Sequence, residues 1–208
     1  MAKVISPLFS FGASGQLAKS IVFFPWKGLN VVRQWVAPAN PKTTSQVTHR
    51  GYMTAAVAAI HAAMVDDTNP FNACDKAAYA TLASLAATPR TWFNAICRQW
   101  LKQSALAKTP AVFHGASVAE SDSQLVVTLY SPALIALEIT GGDFFYGTTK
   151  TTLLESVEAV CTPASKDAIG TITGLTNGTR YFVQFRASAE AGWVGDNSGI
   201  FSGVPAAA

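Results

Sequence analysis

Two prolines, Pro38 and Pro41, separate a β-prone run from a helical one and set the layout of the first half of the chain. They force Ala37 and Asn40 towards extended backbone, so no helix crosses them. Before them, Leu29 to Val36 is rich in β-branched and aromatic residues. Its alternation places Val31, Arg33 and Trp35 on one face and Val32, Gln34 and Val36 on the other. Trp26-Lys27-Gly28 reads as a turn in which Gly28 supplies a positive φ. After the prolines, Thr43, Thr44 or Ser45 can cap a helix starting near Gln46. The segment Pro25 to Arg50 is thus a connector from sheet to helix, and none of its groups is one that catalysis needs.

Composition explains why such a connector matters. Half of the 208 residues are apolar and 13% are charged, against a usual share of about 25%. A chain this poor in charge must bury most of itself or cover apolar surface with partners. No apolar run is long enough for a membrane span, and the N-terminus reads as lacking a signal peptide. Residues 1–110 hold 11 Lys/Arg against 3 Asp/Glu, whereas residues 111–208 hold 4 against 9. The shift places a domain join near Thr109-Pro110 and leaves the first half a candidate for contact with nucleic acid or an acidic partner. Cys74, Cys97 and Cys161 form no CxxC pair, which fits a reducing compartment. Cys74 and Cys97 could meet across a helical pair, but buried free thiols are the preferred reading.

Residues 1–109 are expected to form an α+β module, a β-hairpin plus three helices. Val4 to Phe11 reads as a short strand and Gly12 to Gly15 as a loop lacking phosphate-loop spacing. Lys19 to Phe24 reads as a second strand, apolar on both faces over Ile21 to Phe24, and pairs with Leu29 to Val36. Helices are expected over Gln46–Val65, Lys76–Ala87 and Thr91–Lys108. The first carries the stripe Met53, Val57, Ile60 and Met64, and Asp75 caps the second. A hairpin bearing Phe23, Phe24, Trp26 and Trp35 exposes more aromatic surface than a few helices can hide.

Residues 110–208 change character to short strands with frequent turn signals, the pattern of a β-sandwich. Expected strands are Ser117–Ala119, Gln124–Tyr130, Leu134–Thr140, Asp143–Tyr146, Glu155–Cys161, Ala168–Thr173, Arg180–Ala189 and Ser198–Val204. In Gly174-Leu-Thr-Asn-Gly-Thr-Arg-Tyr181, Leu175 would plug the end of the sandwich and Tyr181 would bond back across the turn. On Gly174 to Gly199, with Phe144 to Ala159 in support, the half resembles a fibronectin type III domain over roughly residues 112–205. It departs from that pattern in having no tryptophan in the early strands.

Trp26, Lys27, Gly28, Val32, Arg33, Asn40, Pro41, Thr43 and Gln46 resemble a pattern in short proteins encoded among the structural genes of tailed bacteriophages. The resemblance implies a non-enzymatic virion component, assembled in the host cytoplasm as a capsid decoration or head/tail accessory subunit. Its partners would be other virion proteins (capsid, neck or tail subunits) and further copies of itself, with nucleic acid as a side candidate through Lys19, Lys27, Arg33 and Arg50. The expected interface is Phe23, Phe24, Trp26, Arg33, Trp35, Pro38, Asn40 and Pro41. An alternative is a host-surface or glycan-binding module using Tyr146, Trp193 and Asp196. Three isolated histidines and scattered carboxylates give no catalytic, cofactor-binding or metal-binding arrangement.

Overall fold

The β-branched run beginning at Leu29 folds back on the segment before it, within a sheet that forms a unit of its own. The computed structural model describes residues 3–4, 13–27, 29–37, 39–88, 90–108, 110–134, 141–187 and 197–206. The chain divides into two compact units, Met1–Thr43 and Thr44–Ala208.

The first unit is a four-stranded antiparallel sheet in the order β1-β2-β3-β4: Lys3–Val4, Ala13–Leu17, Ile21–Trp26 and Leu29–Gln34. Ala13 to Gly15, expected in a loop, thus belongs to β2. Most of the strand expected over Val4–Phe11 lies outside the described residues. Between β2 and β3, Ala18 and Lys19 take positive φ and Ser20 N–H donates to Leu17 C=O at 2.9 Å. Between β3 and β4, Trp26 pairs with Leu29, so Trp26 belongs to the strand and not to the turn. Lys27 has φ 49°, while Gly28, the residue expected to take the positive φ, lies outside the described residues.

Proline sits inside β3 for a geometric reason. Trp35 N–H donates to Ser20 C=O at 2.8 Å, which fixes the alternation of bonded and non-bonded pairs between β3 and β4. Pro25, opposite Asn30, falls at a non-bonded position, so its missing N–H takes nothing from that ladder. Its backbone faces β2 instead, where the register ends at Gly15–Phe23 before Pro25 is reached.

The second unit begins with helices α1 (Thr44–Met64), α2 (Ala73–Ser84) and α3 (Trp92–Ala105). The buried side of α1 is Ala56, Ile60 and Ala63, while Met53 and Met64 are 39% and 43% exposed. The expected methionine stripe is therefore rotated. Small residues face inward because they let α1 approach Ile96 and Cys97, which share its core. Asn72, not Asp75, is the N-cap of α2. It accepts from Asp75 N–H while the Asp75 carboxylate accepts from Asn72 N–H, a capping box. Thr91 caps α3.

Two four-stranded antiparallel sheets complete this unit. One has the order β5-β6-β10-β9, the other β12-β11-β7-β8. The strands are β5 His114–Ser121, β6 Gln124–Tyr130, β7 Gly142–Gly147, β8 Glu155–Glu158, β9 Val160–Thr162, β10 Asp167–Thr173, β11 Tyr181–Ala187 and β12 Phe201–Gly203. The single strand expected over Glu155–Cys161 is two strands in different sheets. The chain changes sheet at buried Ala159, whose N–H donates to Gly142 C=O. Of the strand expected over Leu134–Thr140, residues 135–140 lie outside the described residues, and Leu134 is buried.

Leu125, Leu129 and Ile172 from one sheet pack with Phe144, Val183, Phe185 and Phe201 from the other. Phe113 and Phe144 each lie 5.2 Å from Phe185, so phenylalanines occupy a core with no tryptophan among its buried members. A Cβ on Gly170 would come within 2.3 Å of the Phe144 ring, which is why the sheets need glycine there. Leu175 is buried and Tyr181 Oη accepts from Thr176 N–H at 3.2 Å.

The helices and the sandwich are one body. Asp75, fully buried, accepts from Gly115 and Ala116 N–H as well as from Asn72. Asn72 Nδ2 donates to Ala116 C=O, Tyr79 Oη donates to Phe113 C=O, and Ile200 N–H donates to Ala78 C=O. Adjacent Val112 and Phe113 enter different cores, one helical and one in the sandwich. The composition change at Thr109-Pro110 therefore does not mark the division between units, which falls at Thr43/Thr44.

Burial pushes the Asp75 carboxyl above the ordinary range, against the pull of the N–H donors of Asn72, Ala116 and Gly115. In Asp75→Asn, one amide N–H must face a backbone N–H. The expected loss in stability is about 1–3 kcal/mol, with Asp75→Ala at or above the upper end. A lower urea midpoint at unchanged m-value checks it, and an unmoved midpoint for both variants contradicts it.

Candidate binding surface on the N-terminal sheet

Register assigns each side chain of β3 and β4 to a face. One face carries Val22, Phe24 and Trp26 from β3 with Val31 and Arg33 from β4. Trp35 continues that face one step beyond β4, held by its bond to Ser20. The other carries Ile21, Phe23 and Pro25, with Val32 and Gln34. Of the expected interface, Phe24, Trp26, Arg33 and Trp35 thus come together, while Phe23 lies on the opposite side. Two-residue alternation along Phe23-Phe24 makes that separation unavoidable.

Among the described residues both faces remain open. Trp26 is 58% exposed on the first and Val32 56% exposed on the second. Phe23, Phe24 and Trp35 are only half-buried, and no described residue of β3 or β4 is fully buried. β4 is also an edge strand, so alternation turns the N–H and C=O groups of Asn30, Val32 and Gln34 away from β3. Sequence reading named the rings but not this edge, because strand order cannot be read from a single run of residues.

Cations lie over the rings of the first face. The Arg33 guanidinium is 5.2 Å from the Phe24 centroid and Lys27 Nζ is 6.0 Å from that of Trp26. Residues 1–43 contain five Lys/Arg and no Asp or Glu. Asn40 and Pro41 are exposed in a segment without regular secondary structure, and Pro38 lies outside the described residues. Arg50 belongs to α1, in the other unit.

The remaining candidates are dispersed. Tyr146 is half-buried against the sandwich core, and Trp193 and Asp196 lie outside the described residues. His49 and His61 are exposed on α1. His114 is buried with Nδ1 2.7 Å from Asn69 C=O. It shares a cleft of about 270 Å³ with Asp66, Trp100 and Ser131. Backbone N–H donors of Asn69 and Thr68 hold the Asp66 carboxyl below the usual range. Among the described residues no group of His, Cys, Asp and Glu is placed to hold a metal ion, and no helix is long and apolar enough to cross a membrane. Cys74, Cys97 and Cys161 are free thiols, each pushed up by burial. Cys74 and Cys97 lie against different cores and are not bonded to each other.

No protein-family model matches this chain, and no curated protein matches it. Among solved structures, the fn3 domain of human contactin 1 is similar at 14% identity and a TM-score of 0.36. That match covers 48% of this chain and 80% of that one.

Open and packed rings should respond differently to truncation. Trp26→Ala is expected to leave the stability of the Thr44–Ala208 unit within about 0.5 kcal/mol. Phe71→Ala is expected to lower it by about 3–5 kcal/mol, since Phe71 is buried and stacks on Trp92 at 5.1 Å. Thermal and urea melts of the two variants give the comparison. Equal losses would mean that Trp26 is packed.

Proposed function

We propose that this chain is a non-enzymatic structural subunit of a tailed-phage type of particle, acting as a capsid decoration or head/tail accessory protein. Residues 1–43 are its anchor, and the Thr44–Ala208 unit, with its fibronectin type III-like sandwich, is the part displayed. The observation that carries this reading is the open sheet: exposed Trp26 and Val32 on opposite faces, half-buried phenylalanines between them, and an unpaired β4 edge. Isolated sheets with apolar faces and free edges gain stability by adding strands or layers from a neighbour. The resemblance of Trp26-Lys27-Gly28, Val32-Arg33 and Asn40-Pro41 to phage structural proteins supports the kind of neighbour. The helices, expected to belong to the anchor, are assigned instead to the displayed part, because Asp75 and Tyr79 fasten α2 to the strand preceding and forming β5.

The reading is tested with the full chain and the Thr44–Ala208 fragment, which contains both hydrophobic cores. Light scattering after size exclusion should give a concentration-dependent increase in mass for the full chain and a constant monomer for the fragment. Mass spectrometry of particles released by the host strain should detect the chain as a stoichiometric component. A full-length monomer at all concentrations, together with its absence from particles, would refute the reading.

A further inference from the structure

The face bearing Phe24, Trp26, Arg33 and Trp35 has a second property besides being open. Along β3 and β4, from the Ser20–Trp35 bond to the Trp26–Leu29 pair, rings and cations alternate. Trp35 is followed by Arg33 over Phe24, and then by Trp26 with Lys27 against it. Lys19 lies in the turn beside the Trp35 end. The distance covered is about 20 Å at strand rise, comparable to about three nucleotides of extended strand. No acidic residue occurs anywhere in residues 1–43 to oppose a polyanion.

We propose that this face is a binding track for single-stranded nucleic acid. Bases stack on Trp26 and Trp35 and on the Arg33 guanidinium, while Lys19 and Lys27 take the phosphates at the two ends. A neighbouring acidic protein would use the cations but has no need of flat rings spaced between them. A duplex would present phosphates alone, because its bases are already stacked. Unpaired bases are the partner that uses both features. The inference rests on the reading of residues 1–43 as a docking unit and names what that unit meets on one of its faces. Its other face and the β4 edge remain available to protein neighbours.

The test uses the full-length chain and fluorescein-labelled oligonucleotides of about ten residues: oligothymidine, oligouridine and a duplex, read by anisotropy. Single strands should bind more tightly than duplex. With two cations neutralising phosphates, affinity should fall about sevenfold between about 50 and 200 mM salt. Lys19→Ala and Lys27→Ala should each flatten the salt slope by about 0.7, whereas Arg33→Ala, which removes a stacking group, should weaken binding with the slope unchanged. Trp26→Ala should weaken binding about tenfold with the slope unchanged. Lys102→Ala, an exposed cation of α3, should have no effect, and circular dichroism confirms that each variant is folded. The two single-stranded arms distinguish DNA from RNA as the natural strand.

Equal binding by the Thr44–Ala208 fragment, equal affinity for duplex, or full binding by folded Trp26→Ala would each overturn the proposal. Failure to bind any oligonucleotide by a chain that still self-associates or enters particles overturns the nucleic-acid track alone. Failure on all counts removes the docking reading as well.

Discussion

The Asp75 carboxylate lies fully buried between a helix and a strand, where three backbone N–H groups point at it. Its position is fixed from both sides. It closes the first turn of α2 by the capping box with Asn72, and it satisfies Gly115 and Ala116 at a β5 irregularity, where pairing with β6 jumps from His114 to Ser117. Amides at such a break have no ladder partner and would be left unpaired without an acceptor from outside the sheet. The helical layer and the sandwich therefore depend on each other for hydrogen bonding as well as for apolar burial. Gly199, whose Cβ would lie 2.8 Å from the α2 backbone, shows how closely the second sheet approaches the same helix.

The first unit contains no carboxylate to play such a part. Its strands satisfy each other's backbone groups except along the β4 edge, and its turns at Ala18-Lys19 and Lys27 accept left-handed geometry without glycine at those described positions. Strand pairing fixes the sheet, but no described side chain in it is fully buried. A unit whose rings remain at its surface gains from contact with something else. Its charge, five cations and no carboxylate, is the basis on which a polyanion is proposed as that partner.

Some of this was legible from the residues alone. Val31, Arg33 and Trp35 were assigned to one face by alternation, and the register agrees. Gln124–Tyr130 was located residue for residue, because its apolar residues alternate within clear turn signals. Leu175 and Tyr181 were assigned their packing and bonding from a short turn sequence. Other readings failed where local pattern was ambiguous. Methionines looked like the core stripe of α1, but small residues are what close helix packing requires, so Ala56 and Ala63 face inward. Glu155–Cys161 read as one strand because a crossing between sheets at Ala159 leaves no mark in hydropathy. The Asn72–Asp75 pair carried a capping-box spacing that could have been found, had acidic residues at the third helical position been considered.

The sequence by itself determined most of the strands and helices, which residues along a strand share a face, and that the chain is rich in apolar residues and poor in charge. These follow from side-chain period, turn chemistry and composition, all of which are local. Only the tertiary structure decided that the helices belong with the sandwich and that the division falls at Thr43/Thr44. It also brought Phe24 and Trp26 onto one face with Arg33 and Trp35 and left β4 at an edge. Those outcomes depend on pairing partners distant along the chain, such as Asp75 with Ala116, and no local pattern encodes which partner is chosen.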